Sequence, residues 1–273
     1  MSYFEHLERA VVRNDSRLCI GLDPDPQRIG GRDLVAFLTE IIAATRDLVC
    51  CFKPNLAFFE ALGAEGMPAL AATIAAIPQD IPVIGDAKRG DIGSTAEAYA
   101  RALFERFRFD AVTVNPYGGF DSVEPFLRYA DRGVYVWCRS SNPGASDFQD
   151  LPVADGSGQT RPFYEIVAER ARDWDGHGNV GLVAGATYPD QIARLRRICP
   201  TTPFLLPGVG AQGGAIREAV LAARTDAGGG FIVNASRGVL YASNGADFAA
   251  AARREAVSLR DAVASSLTVE VGG

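Results

Sequence analysis

The chain has 273 residues, of which 48% are hydrophobic and 22% charged, with a formal net charge of −6. That composition can bury a full core, and the acidic balance argues against a nucleic-acid binder, because a phosphate backbone calls for a basic surface. Five cysteines without a C-x-x-C pair, and two histidines in polar contexts, leave little material for a disulfide framework, a zinc site or a Ser-His triad, so a reducing cytoplasm is the expected compartment.

The N-terminal MSYFEHLERAVVRND carries acids and does not read as a signal peptide, and no apolar run approaches the ~18 residues of a membrane span. Short apolar runs then recur at 18–22 (LCIGL), 48–52, 81–85, 111–115, 133–138, 180–185, 202–207 and 230–234. They are continuously apolar, the pattern of strands covered on both faces, as in parallel sheets. Helical spacing fills intervals between them at 32–46, 94–107, 215–224 and 247–266, with Ser94 and Glu97 in capping-box register. Residues 140–178, between the fifth and sixth runs, are rich in Gly, Pro, Ser and Asp and hold one helical stretch, 161–174. Such a segment is either a functional lid or a surface elaboration. Strand–helix alternation without a break in composition predicts one α/β domain over 1–273, a (β/α)8 TIM barrel with a long insertion after strand five. An open doubly wound sheet is the alternative.

In such a barrel, chemistry sits at the C-terminal ends of the strands. Asp23 ends the first strand, Lys53 the second and Asp86 the third, with Lys88 and Asp91 just beyond; Asn115 ends the fourth, and Ser140 and Ser141 follow the fifth. Of 27 basic residues, only Lys53 and Lys88 are lysines, and both fall in this ring. Arginine stays charged, whereas lysine can donate or accept a proton. Asp86-x-Lys88-x-x-Asp91 places an ammonium between carboxylates, which favours its charged form and suits a proton donor better than a Schiff-base nucleophile. If Lys53 joins them, four charges alternate in sign, an array able to stabilise charge developing on a substrate. A surface salt-bridge cluster is the plainer reading of the same spacing. After the seventh strand, glycines 208, 210, 213 and 214 let backbone amides approach a ligand, and Arg237 after the eighth adds a cationic fork. This is the usual phosphate position of the architecture, although tight turns and a surface arginine would read alike. GVGAQG (208–213) also matches G-x-G-x-x-G, but no acid follows about 20 residues on, so it is not read as a dinucleotide site.

DAKRGDIGSTA (86–96), with GLDPD, FKPN, TVNPY, SNPGA, PGVGAQGG and SRG in order along nearly the whole chain, resembles the orotidine 5′-phosphate decarboxylases. NPYGGFDSVEPF and the long fifth loop resemble the bacterial type 2 subfamily. The resemblance implies a cofactor-free, metal-free carboxy-lyase that converts orotidine 5′-monophosphate (OMP) to UMP and CO2, the last step of de novo UMP synthesis. It implies that Lys88 protonates C6, that Asp86 lies against the substrate carboxylate, and that Lys53 and Asp23 hold ribose hydroxyls. Ser141 would read the pyrimidine, with Ser140 an adjacent competitor, and Asn115 joins the binding set. Arg237 and the backbone of Gly208, Val209 and Gly210 would grip the phosphate; Gln212 is a further candidate, on a loop shorter than in related barrels. Asp91, Ile92 and Thr95 would enter the neighbouring subunit's site, making the protein a homodimer. The alternatives are a Mg2+-dependent sugar-phosphate decarboxylase or aldolase of the same superfamily, a Schiff-base aldolase, and a nucleotide-binding protein without catalysis.

Overall fold

The eight apolar runs become eight parallel strands around a common axis: β1 (Leu18–Leu22), β2 (Cys51–Pro54), β3 (Ile84–Arg89), β4 (Ala111–Val114), β5 (Gly133–Arg139), β8 (Val180–Ala184), β9 (Phe204–Pro207) and β10 (Phe231–Ala235). β6 (Pro152–Ala154) and β7 (Thr160–Pro162) form a separate antiparallel hairpin between β5 and β8. The computed structural model describes residues 1–154, 158–208 and 213–268. Neighbours run β2-β1-β10-β9-β8-β5-β4-β3, and parallel bridges Phe52–Val83 and Asn55–Asp86 join the two ends, nearly closing a barrel. Every residue of β1, β8 and β10 is buried, which is why these strands read as unbroken apolar runs.

The two strand faces fill two separate spaces. Leu18, Ile20 and Leu22 of β1 pack outward with Phe37, Leu38 and Ile41 of α2 (Leu34–Thr45), part of a layer continued by α4 (Gly66–Ala75), α5 (Gly93–Arg101), α6 (Phe120–Leu127), α7 (Phe163–Asp173), α8 (Pro189–Ile198), α9 (Gly213–Ala223) and α11 (Phe248–Thr268). Short α3 (Leu56–Glu60) and α10 (Arg237–Leu240) follow β2 and β10. Cys19, Cys51, Ile84, Ala111, Tyr135, Val183, Leu205 and Ile232, one from each barrel strand, form the inner cluster with Tyr3, Leu7 and Val11. Those last three belong to α1 (Tyr3–Asn14), which closes the end of the barrel where the strands begin.

α1 was not anticipated, although its signals are present. Ser2 and Glu5 form a complete capping box, and Tyr3, Leu7, Ala10 and Val11 share a buried stripe. Three other expectations need correction. β2 starts at Cys51, not at 48, because Leu48 and Cys50 make the turn out of α2, bonding to Thr45 and Leu18 backbone oxygens. β3 does not end at Asp86 but runs on to Arg89, because its charged side chains find partners inside the barrel mouth. α5 is not capped by Ser94: its N-cap is Ile92, and Ser94 lies inside the first turn, with no side-chain cap. The segment after β5 carries the predicted helix as α7, together with a 3-10 turn, Pro143–Asp147, and the β6–β7 hairpin. Among the described residues, no helix is long and apolar enough to cross a membrane.

Candidate active site

The ends of β2, β3 and β4 bring the two lysines together on one carboxylate. Lys53 Nζ lies 2.7 Å from Asp86 Oδ2, and Lys88 Nζ lies 2.6 Å from Asp86 Oδ1. Thr113 of β4 supports both partners: its hydroxyl donates to Asp86 Oδ1 at 2.8 Å and accepts from the Lys88 backbone N–H at 3.0 Å. Thr113 opens the TVNPY stretch, but no role was assigned to it; the available signal is a hydroxyl in an otherwise apolar run, two residues before Asn115.

Burial makes this cluster electrostatically strong. Lys53 and Asp86 side chains are 4% and 9% exposed, and Lys88 is 34% exposed, so it alone keeps an open route to solvent. For Asp86, desolvation favours the neutral acid, but Lys53 and then Lys88 outweigh it and hold the carboxyl far below the ordinary carboxylate range. For Lys53, burial likewise favours the neutral amine, yet Asp86 and then Asp23 overcome it and hold the ammonium above its usual range. Lys88 has a left-handed backbone, φ +45°, where the β3–β4 register shifts between Gly85 and Arg89. Its ammonium also lies 5.9 Å from the centre of the Trp137 ring.

Asp23, at the end of β1, connects this cluster to a cavity of about 720 Å³ lined by Asp23, Arg28, Ser141, Gly208, Ser236 and Arg237, among others. Ser236 Oγ donates to Asp23 Oδ2 at 2.5 Å, while Asp23 Oδ1 is buried with no hydrogen-bond partner among the described residues. A carboxylate oxygen so placed, on a residue that lines the cavity, has the capacity to accept from a ligand donor. Tyr241 fixes the loop: its hydroxyl donates to the Asp23 backbone oxygen at 3.1 Å and accepts the Asp25 N–H at 2.7 Å, and the Arg28 guanidinium stacks 3.9 Å from its ring centre. Arg28 is therefore a second cation at the cavity beside Arg237, and it was missed because nothing in DPDPQR marks it out.

The remaining expected residues are placed unevenly. Ser141 and Gly208 both line the cavity; Ser140 instead hydrogen bonds to Gln149. Val209, Gly210 and Gln212 lie outside the described residues. Asn115 spends its carboxamide oxygen capping the turn at Tyr117, and it borders a different, largely apolar space of about 300 Å³ with Trp137 and Phe148. Asp91, Ile92 and Thr95 are exposed at the start of α5, and the Asp91 carboxylate accepts the Ile92 N–H. Within one chain, the charge array thus has three members at Asp86 rather than four around Lys88. Among the described residues, no group of three His, Cys, Asp or Glu side chains could hold a metal ion.

The chain as a whole, not only this site, can be compared with known proteins. The model of the orotidine 5′-phosphate decarboxylase / HUMPS family matches residues 16–253. The chain belongs to that family. An orotidine 5′-phosphate decarboxylase of Roseiflexus castenholzii is 53% identical, the match covering 98% of this chain and 99% of that protein. One from Cupriavidus necator is 52% identical over 96% of this chain and 98% of that protein. The structure of Leishmania donovani OMP decarboxylase superposes with a TM-score of 0.86 at 41% identity, covering 99% of this chain and all of that one. Membership in the orotidine 5′-phosphate decarboxylase family accords with the barrel predicted from the apolar runs.

Proposed function

We propose that this protein decarboxylates OMP to UMP and CO2, with Lys88 as the proton donor to C6. The observation that carries the reading is Asp86 held between the two lysines of the chain, 2.7 Å from one and 2.6 Å from the other. At C6 the chemistry needs one bond broken and one formed. As the C6–carboxylate bond breaks, its electron pair remains on C6 and CO2 departs as a neutral molecule. The Lys88 ammonium delivers a proton to C6, and the resulting amine regains one from solvent through its exposed side. The array is assembled before substrate arrives, so little reorganisation is needed as charge develops. A substrate carboxylate lying against Asp86 is repelled until it leaves as CO2.

The rest of the substrate is assigned by surroundings. Asp23 Oδ1, a buried acceptor with no partner among the described residues, suits a ribose hydroxyl, with Lys53 beside it. Arg237, the Gly208 backbone and, on the same cavity, Arg28 suit the phosphate. Binding energy from that remote group helps orient the ring over Lys88. Ser141 suits the pyrimidine. Asp91, Ile92 and Thr95 are assigned to the site of a second copy in a homodimer, supported by their exposure in the single chain, where Ile92 is 65% exposed. A Mg2+-dependent sugar-phosphate reaction is disfavoured by Lys53, whose ammonium lies at the end of β2, where that chemistry would call for a metal-binding acid, and would repel the ion.

The deciding experiment follows the orotate ultraviolet absorbance of OMP with purified protein in EDTA. Rapid loss with UMP as product supports the assignment and dispenses with a metal. UMP binding without any loss of OMP overturns it, and sugar phosphates with Mg2+ become the next substrates.

A further inference from the structure

Two serines stand side by side after β5, and their side chains have different surroundings. Arg139, the last residue of β5, is 3% exposed. Its guanidinium is shared among four groups from three parts of the chain. Nε donates to Gln191 Oε1 of α8 at 2.6 Å, NH1 to Gln149 Oε1 at 3.0 Å and to the Ser140 backbone oxygen at 3.1 Å, and NH2 to Asp150 Oδ2 at 3.2 Å. The Tyr188 ring centre lies 4.8 Å from it. Gln149 in turn closes on Ser140: its Oε1 accepts the Ser140 N–H at 2.9 Å, and its Nε2 donates to Ser140 Oγ at 3.0 Å. The opposite side of this turn has no slack. A Cβ on Gly185 would come within 2.8 Å of the Ser141 backbone nitrogen. The Ser140 hydroxyl is therefore consumed inside the loop, while Ser141 lines the cavity.

We propose that Gln149, fixed by Arg139, is a positioning residue that ties Ser140 into the loop and so leaves Ser141 as the pyrimidine-reading hydroxyl; this rests on the decarboxylase reading above. Arg139 orients the carboxamide, the carboxamide fixes Ser140 by backbone and side chain together, and that fixes where the next residue sits. The segment after β5 is on this account a specificity device, held by a polar network with every named member paired.

The test compares UMP with ribose 5-phosphate, which keeps the phosphate and sugar but lacks the base. Gln149→Leu removes the clamp. It is expected to weaken UMP binding and raise the KM for OMP about tenfold, the scale of one or two lost hydrogen bonds, while ribose 5-phosphate affinity stays within about twofold. Gln149→Glu keeps an acceptor for Arg139 and Ser140, and is expected to restore UMP binding to within about threefold of the parent. If Gln149→Leu does not fold, Asp150→Ala loosens the same guanidinium from a more exposed position, with the same selectivity for UMP expected at a smaller size. Equal weakening of both ligands, or UMP affinity unchanged, overturns the clamp. A parent protein that leaves OMP untouched overturns the decarboxylase reading instead, and the two failures are separate.

Discussion

Lys88 reaches Asp86 from a left-handed backbone: its φ is +45°, and its Nζ lies 2.6 Å from Asp86 Oδ1. A non-glycine residue in that region costs about 1–2 kcal/mol, so the surrounding structure must hold it there. Thr113 does part of this, accepting the Lys88 N–H and donating to Asp86. The strain and the ion pair belong together, since the displaced backbone delivers the ammonium to the carboxylate two residues earlier.

Lys88→Ala therefore removes the proposed proton donor while leaving in place the groups proposed for the phosphate and ribose. Turnover is expected to fall by about a thousandfold or more, whereas UMP affinity stays within about tenfold. Steady-state kinetics and calorimetry check both halves. Near-normal turnover in this variant sinks the assignment of Lys88.

Asp86 gives a prediction with a pH sign. Its folded pKa lies far below the usual 3.8, because Lys53 and Lys88 outweigh the burial that opposes ionisation. A depressed carboxyl pKa contributes stability that is fully present above the unfolded value and is lost as pH falls through the folded one. Asp86→Asn leaves two ammonium groups facing a neutral amide and is expected to cost about 3–5 kcal/mol at neutral pH. The gap between parent and variant narrows as the solution is acidified below about pH 4. Urea denaturation at pH 7 and at successively lower pH measures the gap; one that widens in acid contradicts the ion-pair account.

The barrel was legible because all-buried parallel strands leave continuous apolar runs, and because Asp23, Lys53 and Asp86 mark where those runs stop. Much of the site was legible for the same reason: a charged residue at such a boundary stands out by type. What escaped were residues whose role comes from three-dimensional neighbours. Thr113 looks like an ordinary strand threonine until Asp86 and the Lys88 N–H are seen on its two sides. Tyr241 and Gln149 are far in sequence or in character from the loops they hold. The capping box proposed at Ser94 failed because the chain enters α5 two residues earlier than the motif suggested, with Ile92 as N-cap. Spacing alone does not fix which residue starts a helix.

Asp91, Ile92 and Thr95 test the assembly. If they complete a neighbouring site, Asp91→Ala and Lys88→Ala chains are each inactive as homodimers. Mixed and allowed to exchange, half of random dimers are hybrids, and each hybrid has one site free of both defects. Activity is expected to recover to about a quarter of the parent level, with exchange verified by mass spectrometry of tagged subunits. Verified exchange without recovery rules out the shared site.

The end of the barrel away from the chemistry offers a control. Leu7 of α1 is buried against the inner cluster, so Leu7→Ala is expected to cost about 2–4 kcal/mol, with kcat unchanged under conditions where the variant is folded. Thermal unfolding and the OMP assay check the two claims together. A large fall in kcat in the folded variant means that α1 is coupled to the site.

Gly133 opens β5 directly beneath α1, and a Cβ there would lie 2.2 Å from Cδ1 of Tyr3, far inside contact distance. Gly133→Ala must therefore push the Tyr3 ring aside and is expected to destabilise the fold by about 1–3 kcal/mol. Tyr3→Ala loses stability by itself, since the ring is 2% exposed and its hydroxyl lies 3.3 Å from that of Tyr135. The informative quantity is the double variant. If the alanine methyl clashes only with that ring, Gly133→Ala costs little in the Tyr3→Ala background, and the two losses sum to more than the measured total. Strictly additive losses place the cost of Gly133→Ala in the strand backbone and detach it from α1.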